Sequence, residues 1–152
     1  MNDPIEVAYL AGFFDGEGCI GCYKPRYAPF LQVACTDREP LERFHAMFGG
    51  AFRRTTRNTV TGRIVWKWHL ASPRSLSALV VLMPYLTVKR DQARVALQFK
   101  HRALKDHPGG RWHMAPGEWD DRVRIGDELR ALKRIGMNAD ASESNESTEK
   151  VS

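Results

Sequence analysis

The stretch Leu10-Ala11-Gly12-Phe13-Phe14-Asp15-Gly16-Glu17-Gly18 constrains this chain more than any other. It reads as the end of a short apolar helix. Asp3 can N-cap that helix, Pro4 suits its first position, and Glu6 stands where a capping box places its acid. Ala8, Gly12 and Gly16 recur every four residues, so one face has almost no side chains and a second helix backbone can approach it closely. Leu10, Phe13 and Phe14 supply apolar bulk elsewhere. Gly16 and Gly18 are expected to take the left-handed conformations that end a helix. Asp15 and Glu17 then sit at the negative end of the helix dipole, an unfavourable place for two carboxylates unless a cation joins them. The plainer alternative is that both acids point into water, as surface acids usually do.

Charge is distributed unevenly. The net charge is +5 over 152 residues, but from Asn138 onward there are four acids (Asp140, Glu143, Glu146, Glu149) against Lys150, so the remainder carries +8. Between Gly18 and Thr36 the only charged residues are Lys24 and Arg26, and from Arg43 through Arg90 there are nine bases and no acid. A solvated surface normally mixes both signs, so stretches this long without an acid suggest a polyanionic partner. No run of about 18 apolar residues is present, and no membrane partner is expected. Met1-Asn2-Asp3-Pro4 lacks the basic-then-apolar order of a secretory signal, and three cysteines do not make a disulfide framework. An intracellular, reducing compartment is therefore expected, a prokaryotic cytoplasm or an organelle.

Periodicity predicts a helix over 4–16, strands over Cys19–Lys24 and Phe30–Thr36, and a helix capped by Thr36 or Asp37 that runs to Gly49-Gly50. A second hairpin follows, Ala51–Arg57 and Arg63–Ala71, then helices over Pro73–Met83, Val88–Leu104 and Pro116–Gly136. Four antiparallel strands with helices on one face make an α+β domain over 1–137, and the Ser/Glu-rich residues 138–152 read as a disordered tail. Strand alternation sets Arg53 and Arg57 on one face and Arg54 on the other. It sets Arg63 and Lys67 opposite Ile64, Trp66, Trp68 and Leu70, which are expected to be core. A zinc site from Cys19, Cys22, Cys35 and His45 has suitable ligand types, but a regular strand would point Cys19 and Cys22 to opposite faces. No phosphate-binding glycine loop or nucleophile elbow occurs.

The nine-residue stretch resembles the LAGLIDADG motif of homing endonucleases, with Phe13, Phe14, Gly16 and Glu17 as variants. The αββαββα order over about Pro4–Lys105 is similar to that family's fold. The resemblance implies a sequence-specific DNA endonuclease that makes a metal-dependent staggered cut. A single motif per chain implies a homodimer on a pseudo-palindromic site, with Ala8, Ala11, Gly12, Asp15 and Gly16 at the dimer interface. It implies Glu17 and the Gly18 carbonyl as metal ligands, for Mg2+ or Mn2+, with Ca2+ binding but not supporting cleavage. Lys89, in Leu86-Thr87-Val88-Lys89-Arg90, would stand beside the metals. Tyr23, Lys24, Arg26, Arg53, Arg54, Arg57, Arg63 and Lys67 would contact double-stranded DNA. One departure is Cys35, which stands where the family commonly has a polar residue, often Gln, that holds a metal-bound water. Arg38 is a candidate for a neighbouring outer role. The departure leaves open a non-cleaving protein of the same fold that binds DNA or intron RNA.

Overall fold

A computed structural model describes residues 2–24, 27–55, 62–99 and 117–149, with side chains in the last segment described through Arg134. The elements are α1 (Pro4–Glu17), β1 (Gly18–Tyr23), β2 (Ala28–Cys35), α2 (Arg38–Phe48), β3 (Ala51–Arg54), β4 (Trp66–Ala71), α3 (Arg74–Leu82), a 3-10 turn (Met83–Tyr85), α4 (Arg90–Ala96) and α5 (Glu118–Glu149). The four strands form one antiparallel sheet in the order β1-β2-β4-β3. This is the α+β architecture expected from the sequence.

Alternation decides which side of the sheet is covered. Ile20, Leu31, Val33, Trp68 and Leu70 are buried and meet Leu10, Ala11 and Phe14 of α1, Leu41 and Phe44 of α2, and Leu79 and Leu82 of α3. Trp68 stacks on Phe44 at 4.9 Å, and its indole N–H donates to the Gly49 carbonyl at 2.7 Å. Gly50, at φ +91°, must be glycine, because a Cβ there would stand 2.6 Å from the His69 carbonyl. Among the described residues no helix packs across the opposite face of the sheet, where Gln32, Lys67 and His69 are part-exposed.

Several boundaries differ from expectation. Asp3 caps α1 through a 3.0 Å bond from the Ile5 N–H, but Glu6 turns to Arg43 instead of closing a capping box, with bonds of 2.8 and 2.7 Å that fasten α1 to α2. Gly18 is extended (φ −81°, ψ 161°) rather than left-handed. It is needed for space, since a Cβ would lie 2.4 Å from the Phe14 ring. The helix therefore passes straight into β1. β4 starts later than expected, at Trp66. Ahead of it the Thr55 N–H bonds the Val65 carbonyl at 2.8 Å, and Arg63 precedes the strand. Arg57 and Arg26 lie outside the described residues. Likewise α4 ends at Ala96, and the expected continuation to Leu104 extends beyond them. The α5 backbone runs past Gly136 to Glu149, so helix occupies positions where a disordered tail is expected. A single glycine costs a helix only about 1 kcal/mol against alanine.

Candidate active site and nucleic-acid interface

The carboxyl end of α1, the start of β1 and the turn into α4 converge at one edge of the sheet. Asp15 joins them. Its two oxygens accept the backbone N–H groups of Thr87 at 2.6 Å and Lys89 at 2.9 Å, and the Lys89 ammonium in turn donates to the Asp15 carbonyl. The acid thus satisfies N–H groups at the entry to α4, donors that a helix start leaves unpaired. Its carboxylate is thus engaged within the chain, while the residue stays part-exposed beside the expected dimer strip. Glu17, one turn-step further on, is exposed. Its charge favours the protonated form of Lys89, less than the charges of Asp15 and Cys19 do.

Lys89 is half-buried. That burial pulls its ammonium below the usual lysine range, and Lys133 pushes the same way, against the opposing pull of Asp15, Cys19 and Glu17. Lys133, from α5, stands 3.1 Å from the Cys19 sulfur. Nothing in the sequence marks Lys133, because its place depends on how α5 docks. That docking rests on Gly126, where a Cβ would meet the Tyr27 ring at 2.6 Å, and on Tyr27 edge-on to Trp119 at 5.4 Å.

Cys19 and Cys22 do not share a face. Cys22 lies toward Gly126 and Tyr27, and burial raises its thiol pKa above the usual range. Cys35, at the end of β2, accepts the Asp37 N–H at 3.4 Å. Arg38 pairs with Glu42 at 2.6 Å and lies over the Trp66 ring at 5.0 Å, which places it against the second hairpin. Among the described residues no three His, Cys, Asp or Glu side chains converge to hold a metal. One exposed carboxylate beside a backbone carbonyl is a sparse, hard-oxygen donor set. It fits Mg2+ or Mn2+, which keep several waters and take few protein ligands, better than a cation needing a full protein cage.

The uncovered sheet face is the second part of the site. Arg53 and Lys67 are register partners on it, as alternation predicts. Tyr23 stands on the same face and is 47% exposed. Arg54 pairs in register with Trp66, on the helix-facing side of the strand end, and Arg63 is exposed ahead of β4. Lys24 is exposed, with its ammonium 5.8 Å from the Tyr27 ring. Phe30, Gln32 and His69, which are not among the residues the family resemblance implies, lie on this face too. Their signal was available, since Gln32 alternates with Leu31 and Val33, and His69 with Trp68 and Leu70.

Along α1, Ala11 is fully buried in the chain's own core, which corrects its assignment to a dimer interface. Ala8 is partly covered, while Gly12 and Gly16 are open, and a Cβ built on either glycine meets nothing within 4 Å. Ile5 (80% exposed) and Tyr9 (41%) border that strip.

No family model matches the sequence, and no curated protein matches it at a significant level. Solved structures do. The chain is similar to the homing endonuclease I-CvuI in complex with the I-CreI target in 2 mM Mg, with the DNA not cleaved (26% identity, TM-score 0.63, 84% of this chain and 82% of that one). It is similar to I-CvuI with its own target in 2 mM Ca (25% identity, TM-score 0.64, the same coverage). It also shares its fold with the archaeal intron-encoded homing endonuclease I-Vdi141I complexed with DNA (16% identity, TM-score 0.61, 86% of each chain).

Proposed function

This chain carries the LAGLIDADG homing-endonuclease fold and motif, and from that premise we propose that it is a DNA endonuclease that works as a homodimer with a divalent cation. The observation that carries this reading is the docking of Lys89 on Asp15, at the end of the helix that carries Glu17 and beside a sheet face bearing Arg53 and Lys67.

Glu17 and the Gly18 carbonyl would hold Mg2+ or Mn2+, with water and DNA phosphate filling the other positions. When bound, the ion supplies charge neutralisation at the phosphate and an activated water. Lys89 presents its ammonium to the scissile phosphate and stabilises the charge that gathers there. Asp15 is a positioning residue that sets Lys89 and touches no reacting atom. Arg53 and Lys67 face the major groove, and exposed bases at the hairpin ends clamp phosphates. The bare strip of Gly12 and Gly16, flanked by exposed Ile5 and Tyr9, fits a second copy of α1. A two-fold axis there brings the two Glu17 side chains together, one for each DNA strand.

Incubation with a randomised duplex library in Mg2+, followed by sequencing of the ends, tests this. Discrete staggered ends at a pseudo-palindromic site are expected, and Ca2+ should retain the same DNA uncut. Glu17→Gln is expected to keep binding and lose more than about a hundredfold in cleavage, beyond the effect of removing a mere supporting residue. Equal cleavage by that variant would refute the assignment of Glu17. Cys35 favours a second reading, a protein that binds DNA or intron RNA without cutting, because a thiol occupied by the Asp37 N–H holds a water poorly. Selection of one sequence with no cutting in any divalent metal would support it.

A further inference from the structure

The uncovered sheet face is chemically divided along its strands. Register sets its rows. Nearest the site, Ala34, Lys67 and Arg53 lie side by side, followed by Cys19, Gln32, His69 and Ala51. Beyond them come Gly21, Phe30 and Ala71, and last Tyr23 and Ala28. The inner end thus carries an ammonium, a guanidinium and an amide. The outer end is aromatic and otherwise built from glycine and alanine.

The outer aromatics form one surface. Tyr23 stacks on Phe30 at 4.2 Å, Phe30 lies 5.5 Å from the His69 ring, and the Tyr23 hydroxyl and His69 Nε2 share a 2.8 Å hydrogen bond. Gly21 makes this possible, because a Cβ there would stand 2.1 Å from the Phe30 ring, which therefore lies flat across β1. The Tyr23 hydroxyl and one His69 nitrogen are thus already engaged with each other. Burial, with Lys67 and Arg53 nearby, holds the His69 imidazole below its ordinary range, so it is neutral near pH 7 and is no phosphate clamp. The neighbouring Lys24 lies toward Tyr27, on the helix side of the hairpin.

In the major groove every base pair offers donors or acceptors, but only thymine offers a methyl group. We propose that Tyr23, Phe30 and His69 form an apolar platform that recognises thymine methyl groups in the outer part of each half-site, while Gln32, Lys67 and Arg53 read polar base edges nearer the centre. This rests on the DNA-binding reading above. From Gly18 to Tyr23 the strand spans six residues, about 17 Å at the usual rise. The methyl-sensitive positions therefore lie roughly five base pairs outward of the catalytic acid.

The test uses the intact chain and a duplex selected from a randomised library in Ca2+. Each thymine is replaced singly by uracil, which removes only the methyl. Affinity is expected to fall about fourfold for each contacted methyl, the worth of one buried methyl-sized group, at positions toward the outer ends of the consensus. Phe30→Ala, checked for folding by circular dichroism, should bind the thymine and uracil duplexes alike. A selected duplex with no outer thymine, or one whose outer thymines tolerate uracil, overturns this inference and leaves DNA binding standing. Failure to retain any sequence above the library background overturns both.

Discussion

Asp15 does a job at the residue scale that its sequence position disguises. An acid at the negative end of a helix looks like a metal ligand or a solvent-facing group. Here it bonds the N–H groups of Thr87 and Lys89, over seventy residues away. Hydrogen bonds to a charged acceptor are worth about 1.5–3 kcal/mol. Asp15→Ala is therefore expected to lower stability by about 2 kcal/mol in urea unfolding and to lower kcat more than DNA affinity, because Lys89 loses its placement. The pH profile separates this from a simple loss of fold. Lys89 has a folded-state pKa below 10.5, so between that value and 10.5 the unfolded chain binds more protons and stability rises with pH. The alkaline limb of cleavage should accordingly fall below pH 10.5. Asp15→Asn should move it lower still, because the Asp15 charge opposes the burial of the ammonium. A limb that does not move would remove Asp15 from this role. Glu17 and Lys89 were singled out by the resemblance of the motif and its partner segment, and the sequence placed them at a helix end and at the start of α4, where they lie. The pairing of Asp15 was not legible, since it depends on where a distant turn lands.

At the scale of elements, α1 shows what periodicity can and cannot reveal. The four-residue repeat of Ala8, Gly12 and Gly16 correctly marks a side-chain-poor strip, and both glycines are open. The same repeat says nothing of Ala11, which faces inward because Leu10 and Phe14 turn that side of the helix to the sheet. The strip also yields a clean separation of folding from assembly. Gly16→Leu adds a side chain that meets nothing near its Cβ within the chain and gains helix propensity worth up to about 1 kcal/mol. It is expected to leave the melting of the chain unchanged or slightly raised while shifting sedimentation from dimer to monomer. A variant that still sediments as a dimer would place the two-fold contact elsewhere. In the hairpins, alternation placed Arg53, Lys67 and the tryptophans correctly. It overran at Arg63, since β4 begins only at Trp66.

Among the described residues the molecule is a sheet with one face packed under helices and the other left open. Its element order through α3 was readable from apolar periods and turn residues, because these fix layers as well as elements. The seat of α5 was not readable. It depends on Tyr27, a non-glycine residue at φ 48° whose ring is buried against Gly126, and a Pro-flanked tyrosine in a hairpin loop reads simply as a turn. One joint governs the proportions of the assembly. Because Gly18 is clamped against Phe14, α1 runs into β1 with no intervening linker. In the proposed pair, the helix that sets the two-fold axis and the strand that meets the bases are a single rigid arm. Two such arms make a caliper whose jaws cannot slide. One base pair inserted at the centre of the target would move the half-sites apart by about 3.4 Å and rotate them by roughly 34°. Such a duplex is expected to compete for the protein no better than two isolated half-sites do, so the spacing of the target is inherited from a single glycine.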